Sequence, residues 1–397
     1  MATVLVTDGE QRSALAVVRS LGEAGHRVVV VGATKAPLAG ASRYAARTYG
    51  VPPAGAFPDL FAEAVLELVR QEDVDVLIPM TDVAASVLLP RRHEVPGLKV
   101  PFADVELYDA VSDKQKLMDV ARSLGVPVPD QHVARASDEV EAAVRWAEST
   151  EYPVVLKPAR SAVVTDDGVQ DFGVRIVASP EQLAEGLAAY PPAAYPVLVQ
   201  ERIVGPGLGA FILSKDGRTV ARFAHKRLRE KPPTGGVSVY RESVELRADV
   251  AQHAETILRH LEWTGVAMVE FKEDAATGTP YLMEINARFW GSLQLAIDAG
   301  VDFPTLLMEL TQGEEPQAVE HYRLGVRTRW LWGDVDHLLT VLFSRSRAGS
   351  DILPSRARAI GRFLRLWWPG DRFEVLRLSD PRPFLRESAA WLRALRG

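Results

Sequence analysis

Short apolar runs alternate with stretches of helical spacing through residues 1–111. Thr3–Thr7 reads as a buried strand, Arg12–Ala24 as a helix with Leu15, Val18 and Leu21 on one face, and Gly25 as its stop. Arg27–Val31 is a second buried strand, Phe57–Gln71 a helix with Leu60, Ala64 and Leu68 on one stripe, and Val74–Pro79 a third strand. Such alternation predicts a parallel sheet with helices on both faces. Ligands of such sheets bind beyond the carboxyl ends of the strands. Asp8–Arg12 and Thr81 with Asp82 therefore fall beside a cleft, although Asp82 reads equally well as a helix cap.

The pattern changes after Ser112. Ser112–Leu124 is a helix, Val126–Pro129 an extended linker, Asp138–Ser149 a helix, and Tyr152–Lys157 a strand followed by a polar loop, Ala159–Gly173. A connection that long inside a compact domain suggests a lid. From residue 191 a second unit follows, with strands at Val197–Glu201 and Ala210–Ser214, a tight turn at Gly205–Gly209, a helix at Val250–Glu262 and a helix at Ser292–Ala299. Between those helices lies GVAMVEFKEDAATGTPYLMEINARFWG, two apolar strands joined by a polar turn. Each strand carries a glutamate where a core residue is expected, Glu270 and Glu284. If the turn Glu273–Thr279 closes symmetrically, Glu270 faces Leu282 and lies diagonal to Glu284, about 7–8 Å away. Asn286 and Arg288 continue on the same face. Burying two carboxylates, an amide and a guanidinium is costly without a metal or a phosphate. The same pattern also fits a half-exposed antiparallel hairpin, and both readings stand on the local sequence.

Composition narrows the function classes. The chain has 397 residues, 47% apolar and 25% charged, which is ordinary for a globular protein of two or three domains. No apolar run reaches 18 residues, so no transmembrane helix is expected. The start, MATVLVTDGE, reads as a strand and not as a signal peptide. Without cysteine there is no disulfide, thiolate catalysis or Cys-ligated metal, and a cytoplasmic location fits. TDGEQR follows the first strand where a dinucleotide fold needs Gly-x-Gly-x-x-Gly, which disfavours a dehydrogenase. The net charge of −6 hides an asymmetry: residues 321–397 hold 15 Arg, no Lys and 7 acids, a net +8, with five of the eight Trp. Such a tail suits an anionic partner or a membrane surface, or arginines that pair with the acidic body.

The order of motifs resembles the ATP-grasp superfamily across residues 1–312. The elements that carry the likeness are SDK at Ser112–Lys114, VVLKP at Val154–Pro158, VQERIVG at Val199–Gly205, HKR at His225–Arg227, MVEF at Met268–Phe271 and MEINARFWG at Met283–Gly291. The run EINARFWGSLQLAIDAGVDFP looks most like the carboxylate–amine ligase branch, and less like the biotin carboxylase or carbamoyl phosphate branches. The resemblance implies an α/β and α+β multidomain protein. A Rossmann-like domain (1–111) would precede a small subdomain (112–190), a large subdomain with the metal site (191–312) and a mainly helical, basic, Trp-rich extension (313–397).

The resemblance also implies roles. Lys114 and Lys157 would hold phosphates, Gln200, Glu201 and Ile203 would meet adenine, and Glu270, Glu284 and Asn286 would ligate Mg²⁺ or Mn²⁺. Arg288, with Lys157, would stabilise the transferring phosphoryl group, and Lys226 and Arg227 would face the same phosphates. The ribose-binding glutamate of the family has no clear match, because Gly207–Ala210 occupies its region, and the loop Ala159–Gly173 is richer in acid than in glycine. The implied reaction is ATP-dependent. A substrate carboxylate becomes an acyl phosphate with release of ADP, and an amine then displaces phosphate to form an amide. Other ATP-grasp chemistry, carboxylation or kinase-like transfer, is the alternative, and a non-catalytic nucleotide-binding regulator is a third. Ala159–Gly173 and Lys231–Gly236 are the expected lids. The expected partners are a small carboxylate and a small amine, with no nucleic acid; many relatives form homodimers.

Overall fold

Strand β1 (Thr3–Val6) is the centre of the first sheet because both of its faces are covered. In the computed structural model, which describes residues 1–165, 168–233, 236–343, 355–364 and 371–395, it pairs in parallel with β2 (Arg27–Gly32) and β4 (Val76–Ile78), and β3 (Ala45–Gly50) adds to β2. Val4, Val6, Val28 and Val30 pack on one side with Leu15, Val18 and Leu21 of α1 (Arg12–Glu23). Leu5, Val29, Val31 and Leu77 pack on the other with Phe61, Val65 and Val69 of α2 (Pro58–Gln71). Continuous apolar strands are what a sheet buried on both faces requires. The buried stripe of α2 lies one residue from the Leu60, Ala64, Leu68 stripe expected from spacing, and Leu60 is exposed. Thr81 caps α3 (Asp82–Leu88) by accepting from Ala84 N, which puts Asp82 in the first helical turn.

After α4 (Val105–Ser112) and α5 (Lys114–Ser123), the chain builds a second sheet from β5 (Gln131–Ala134), β6 (Val154–Pro158), β9 (Arg175–Val177) and β10 (Val197–Glu201). Its order is β5-β10-β6-β9, with α6 (Val140–Thr150) and α7 (Pro180–Ala188) over one face. β10 lies between β5 and β6, so the boundary at residue 190 is corrected: the strand read as opening the large unit completes the small one. Proximity along the chain assigned it to the wrong partner. The loop Ala159–Gly173 contains a hairpin of β7 (Ala162–Thr165) and β8 (Gly168–Asp171). Asp166 and Asp167 of that loop lie outside the described residues, as do Thr234 and Gly235 of the second expected lid.

The third sheet has the order β12-β11-β15-β16, from β11 (Gly207–Lys215), β12 (Arg218–Phe223), β15 (Gly265–Glu273) and β16 (Pro280–Asn286). Gly207–Gly209, expected as a turn, is strand. Gly209 faces Glu270 and places no side chain beside it. Helices α8 (Ala248–His260), α9 (Leu293–Ala299) and α10 (Phe303–Thr311) cover the sheet around Phe211, Phe223, Trp263 and Trp290. A fourth sheet pairs β13 (His225–Lys231) with β14 (Val237–Ser243), then adds β17 (Arg327–Arg329) and β18 (Asp371–Phe373) from the C-terminal segment. Helices α11 (Leu331–Phe343), α12 (Arg356–Leu364) and α13 (Arg382–Ala394) complete the described chain.

Candidate functional site

The β15–β16 hairpin forms the floor of the site, and its register differs from the symmetric closure. Glu273 pairs with Pro280, and Phe271 with Leu282. A one-residue shift then follows, so Glu270 faces Glu284 directly. The extra residue is Met283. A β-bulge of this kind re-aims the side chains beyond it, and here it brings the two carboxylates opposite one another. Asn286 Nδ2 lies 3.3 Å from both Glu270 Oε1 and Glu284 Oε1.

Four cations surround this pair. Lys157, from β6, donates to the Met283 carbonyl at 3.0 Å and stands 3.7 Å from Glu284. Lys114 begins α5, donates to Ser161 Oγ at 2.7 Å and stands 4.0 Å from the same carboxylate. Arg227, from β13, reaches Glu270 at 3.5 Å. Arg288 donates to Asp82 Oδ2 at 2.7 Å, to the Phe289 carbonyl at 3.1 Å and to Asn286 Oδ1 at 3.3 Å. Residues from α3, the small subdomain, β13 and the hairpin thus converge on one site.

The carboxylates differ in character. Burial, reinforced by the facing Glu284, raises the Glu270 pKa above the usual carboxylate range. Burial pushes Glu284 upward too, but Lys157 and Lys114 outweigh it and hold that group low. Burial lowers Lys114 to about 8. Burial acts to lower Arg288, and the ion pair with Asp82 more than compensates.

The donor set fits a hard divalent ion. The two carboxylates supply oxygens, and the Asn286 amide, which now turns Nδ2 to them and Oδ1 to Arg288, would add a third by rotating about its last bond; Mg²⁺ prefers oxygen donors completed by phosphate and water. Glu270, held above its normal range, is the group a cation would relieve. Among the described residues no three His, Cys, Asp or Glu side chains cluster to hold a metal alone; phosphate oxygens and water would complete the shell of an ion held here.

Other expected residues lie elsewhere. Lys226 pairs with Glu242 at 2.7 Å, away from the carboxylate pair. The physical reason is strand alternation: adjacent residues of β13 face opposite sides, so His225–Arg227 delivers Arg227 and not Lys226. Gln200 donates to Gln131 at 2.8 Å, Glu201 accepts from Asp130 N at 3.0 Å and Ile203 is buried. This segment runs beside the hairpin turn, where Ala275 N donates to the Val204 carbonyl. Asp8, expected beside a cleft, has φ +50° and accepts from Thr81 Oγ1 at 3.1 Å. Burial raises its pKa. Arg12 instead turns to Glu374 and stacks on Trp330. Two contributors escaped the sequence. Tyr108, which donates to Asp82 at 3.3 Å, is one tyrosine in an ordinary helix. The Met283 carbonyl is exposed by a bulge that side-chain patterns do not encode.

Together these features define a class: facing carboxylates ringed by lysines and arginines, set between two α+β units behind a parallel α/β sheet. A profile of the family described as "ATP-grasp in the biosynthetic pathway with Ter operon" matches residues 194–333. A putative D-alanine–D-lactate ligase from Streptomyces coelicolor is 28% identical over 240 residues, covering 55% of this chain and 64% of that protein. Biotin carboxylase from Campylobacter jejuni, solved with β,γ-ATP, superposes with TM-score 0.66 at 18% identity, covering 82% of this chain and 74% of that one. An L-amino acid ligase from Bacillus licheniformis gives 0.60 at 15% identity, covering 78% and 74%. The chain spans 26% and 64% of the length of the curated relatives it matches first. The family profile, the relatives and the fold neighbours together indicate the ATP-grasp superfamily. The fold does not separate its branches, since a carboxylase and a ligase superpose about equally well.

Proposed function

We propose that this protein is an ATP-dependent ligase that activates a substrate carboxylate as an acyl phosphate and joins it to an amine. The observation that carries the reading is the facing of Glu270 and Glu284, with Asn286 bridging them and Lys114, Lys157, Arg227 and Arg288 around them. Glu270, Glu284 and Asn286 would hold Mg²⁺, which when bound neutralises phosphate charge. Lys114 and Lys157 would grip phosphate oxygens as compact point charges, exchanging their contacts to Ser161, Met283 and Glu284 for ATP. Main-chain groups at Gln200–Ile203 would meet the adenine, because the side chains of Gln200 and Glu201 are already engaged.

The substrate carboxylate attacks the γ-phosphorus as ADP leaves; the amine then attacks the acyl carbon, phosphate leaves and the amine loses a proton. Phosphoryl transfer asks for positioning and charge neutralisation rather than a protein nucleophile. Arg288, held by Asp82, Asn286 and the Phe289 carbonyl, would stabilise the transferring group. The β7–β8 hairpin is the lid: Val169 N donates to the Gly55 carbonyl at 2.6 Å, so the lid touches the parallel-sheet domain. Closure there would keep the acyl phosphate from water. The C-terminal ends of β1 and β4, with Asp8, Thr81 and Asp82, would receive the carboxylate or the amine.

An ADP-release screen of amino acids and small carboxylates, singly and in pairs, with mass analysis of products, tests this reading. ADP formed without an amide, but with a carboxylated or phosphorylated product, would replace ligation by the related chemistries. Glu284→Ala should abolish Mg²⁺-dependent ADP formation and leave the circular dichroism spectrum unchanged. Undiminished turnover in that variant would overturn the assignment of the site.

A further inference from the structure

The basic C-terminal segment divides into arginines with carboxylate partners and arginines without. Arg327 pairs with Glu242, Arg329 with Asp334, and Arg372 and Arg377 with Asp298. These satisfy the acidic body. The arginines of α13 do not. Arg386 and Arg393 donate only to main-chain carbonyls, of Pro37 and Ala389, and Arg382 meets no carboxylate among the described residues. Arg43 joins them across the seam, donating to the Ser379 carbonyl at 3.2 Å.

Arg43, Arg382 and Arg386 line a cavity of about 550 Å³ between residues 40–45 and α13, with Ser42 and Leu385. Asp380 beneath it is buried and already bound by Arg19 at 2.9 Å and Ser42 at 2.7 Å. The cavity therefore presents three guanidiniums and no free carboxylate, the chemistry that recognises phosphate.

The same surface is apolar in a helical stripe. On α13, Phe384 and Trp391 turn inward, where Trp332 stacks against both. Leu385, Ala389 and Leu392 follow at i, i+4 and i+7 on the outer face. Leu385 is 63% exposed, Leu392 49%, and Leu378, next to the Ser379 that Arg43 contacts, 95%. Single exposed leucines are unremarkable, but a row of them rimmed by unpaired arginines marks an interaction surface.

We infer that the outer face of α13 and the arginine cavity dock on an anionic membrane surface, with lipid phosphate in the cavity and the leucines in the headgroup–acyl boundary. Charge selects the occupant. A second copy meeting this face about a two-fold axis would set arginines against arginines. A soluble anion would leave the leucines in water. An anionic bilayer supplies both phases, as for other basic amphipathic helices that lie in the interface. No helix among the described residues is long and apolar enough to cross a membrane, and this mode needs none.

Vesicle cosedimentation of the full chain tests it, using phosphatidylcholine alone and equimolar phosphatidylcholine–phosphatidylglycerol. The expected result is sedimentation with the anionic vesicles, weak binding to the neutral ones, and release by salt. Arg382→Ala with Arg386→Ala should weaken partitioning about 25-fold, at about fivefold per arginine, and Leu385→Ser with Leu392→Ser should weaken it as well. ADP formation without vesicles should not change, because all four residues lie outside the proposed nucleotide site, and the melting temperature should change little, because Leu385 and Leu392 are exposed and Arg386 loses only a long contact to the Pro37 carbonyl. No sedimentation, or sedimentation that both double variants retain, overturns the proposal. So does loss in the arginine variant alone, which describes an anion site without insertion. Self-association abolished by the leucine variant, with no vesicle binding, assigns the face to a second copy and overturns it too.

Discussion

Arg288 joins the candidate site to the N-terminal domain through a single guanidinium. Its Nε faces Asp82, and its two terminal nitrogens face the Phe289 carbonyl and Asn286. A lysine has three donors on one nitrogen at the end of a flexible stem, and lacks the rigid, spread fork with which the guanidinium reaches three separate partners. Arg288→Lys should therefore lower ADP formation about 10²-fold, the usual scale for losing one preorganised donor, with little change in melting temperature. A steady-state ADP assay beside a thermal melt checks this, and turnover within a few-fold of wild type would show that Arg288 only braces Asp82. Residues of this kind were legible because their chemistry is conspicuous: carboxylates in apolar strands and a lysine at the end of a β-run. Tyr108 was not, since an aromatic residue in a helix is normally core, and only the packing of α4 brings its hydroxyl to Asp82.

At the scale of elements, strands and helices could be read from periodicity, whereas pairing could not. β1, β2 and the hairpin strands announce themselves by apolar runs, but β3, with the sequence AARTYG, has no such run and forms because β2 offers an edge. β10 carries no mark of which sheet it joins. The bulge at Met283 costs one residue of register, and a one-residue slip reverses which face a side chain occupies. Helix α13 shows a further interaction hidden from sequence. Glu387 accepts from Trp330 Nε1 at 2.8 Å, and burial raises its pKa to about 7 against the pull of Trp330 and Arg12. A carboxyl whose folded pKa exceeds its unfolded value favours the fold most below its ordinary range, and that contribution is lost as pH rises through about 7. Glu387→Gln keeps an acceptor for Trp330 and removes the charge. The variant should match the wild type near pH 4 and exceed its stability near pH 8 by about 1–3 kcal/mol, below the limit set by about 1.4 kcal/mol per pKa unit. Melting curves across that range decide it; parallel curves would show that Glu387 ionises as freely in the fold as out of it.

For the molecule as a whole, the C-terminal segment, read in sequence as a mainly helical, basic, Trp-rich extension, is built into the sheet that carries Arg227. β17 pairs with β14, and α11 packs on β13 through Asp334, Asp336 and His337. Asp334 is fully buried. It accepts from Arg229 at 2.5 and 2.7 Å and faces Arg329 at 3.2 Å. Arg329 is itself buried, with no hydrogen bond to its guanidinium nitrogens among the described residues, and rests on Tyr240 and Phe363. Removing the shared carboxylate leaves two guanidiniums uncompensated, which costs about 3–5 kcal/mol for a buried pair. Asp334→Ala should therefore lower the melting temperature by roughly 10 °C, at about 2–4 °C per kcal/mol in a molecule of this size. Because β13 carries Arg227 two residues before Arg229, kcat/KM for ATP should fall as well, at a temperature where the variant is still folded. Adding Arg329→Met removes the stranded charge and fills the same volume, so the double variant should recover part of the lost stability without recovering the ATP dependence. Recovery of both together would mean that the segment supports the cleft only by holding the fold, and an unchanged melting temperature in Asp334→Ala would remove the ion cluster from the account of either.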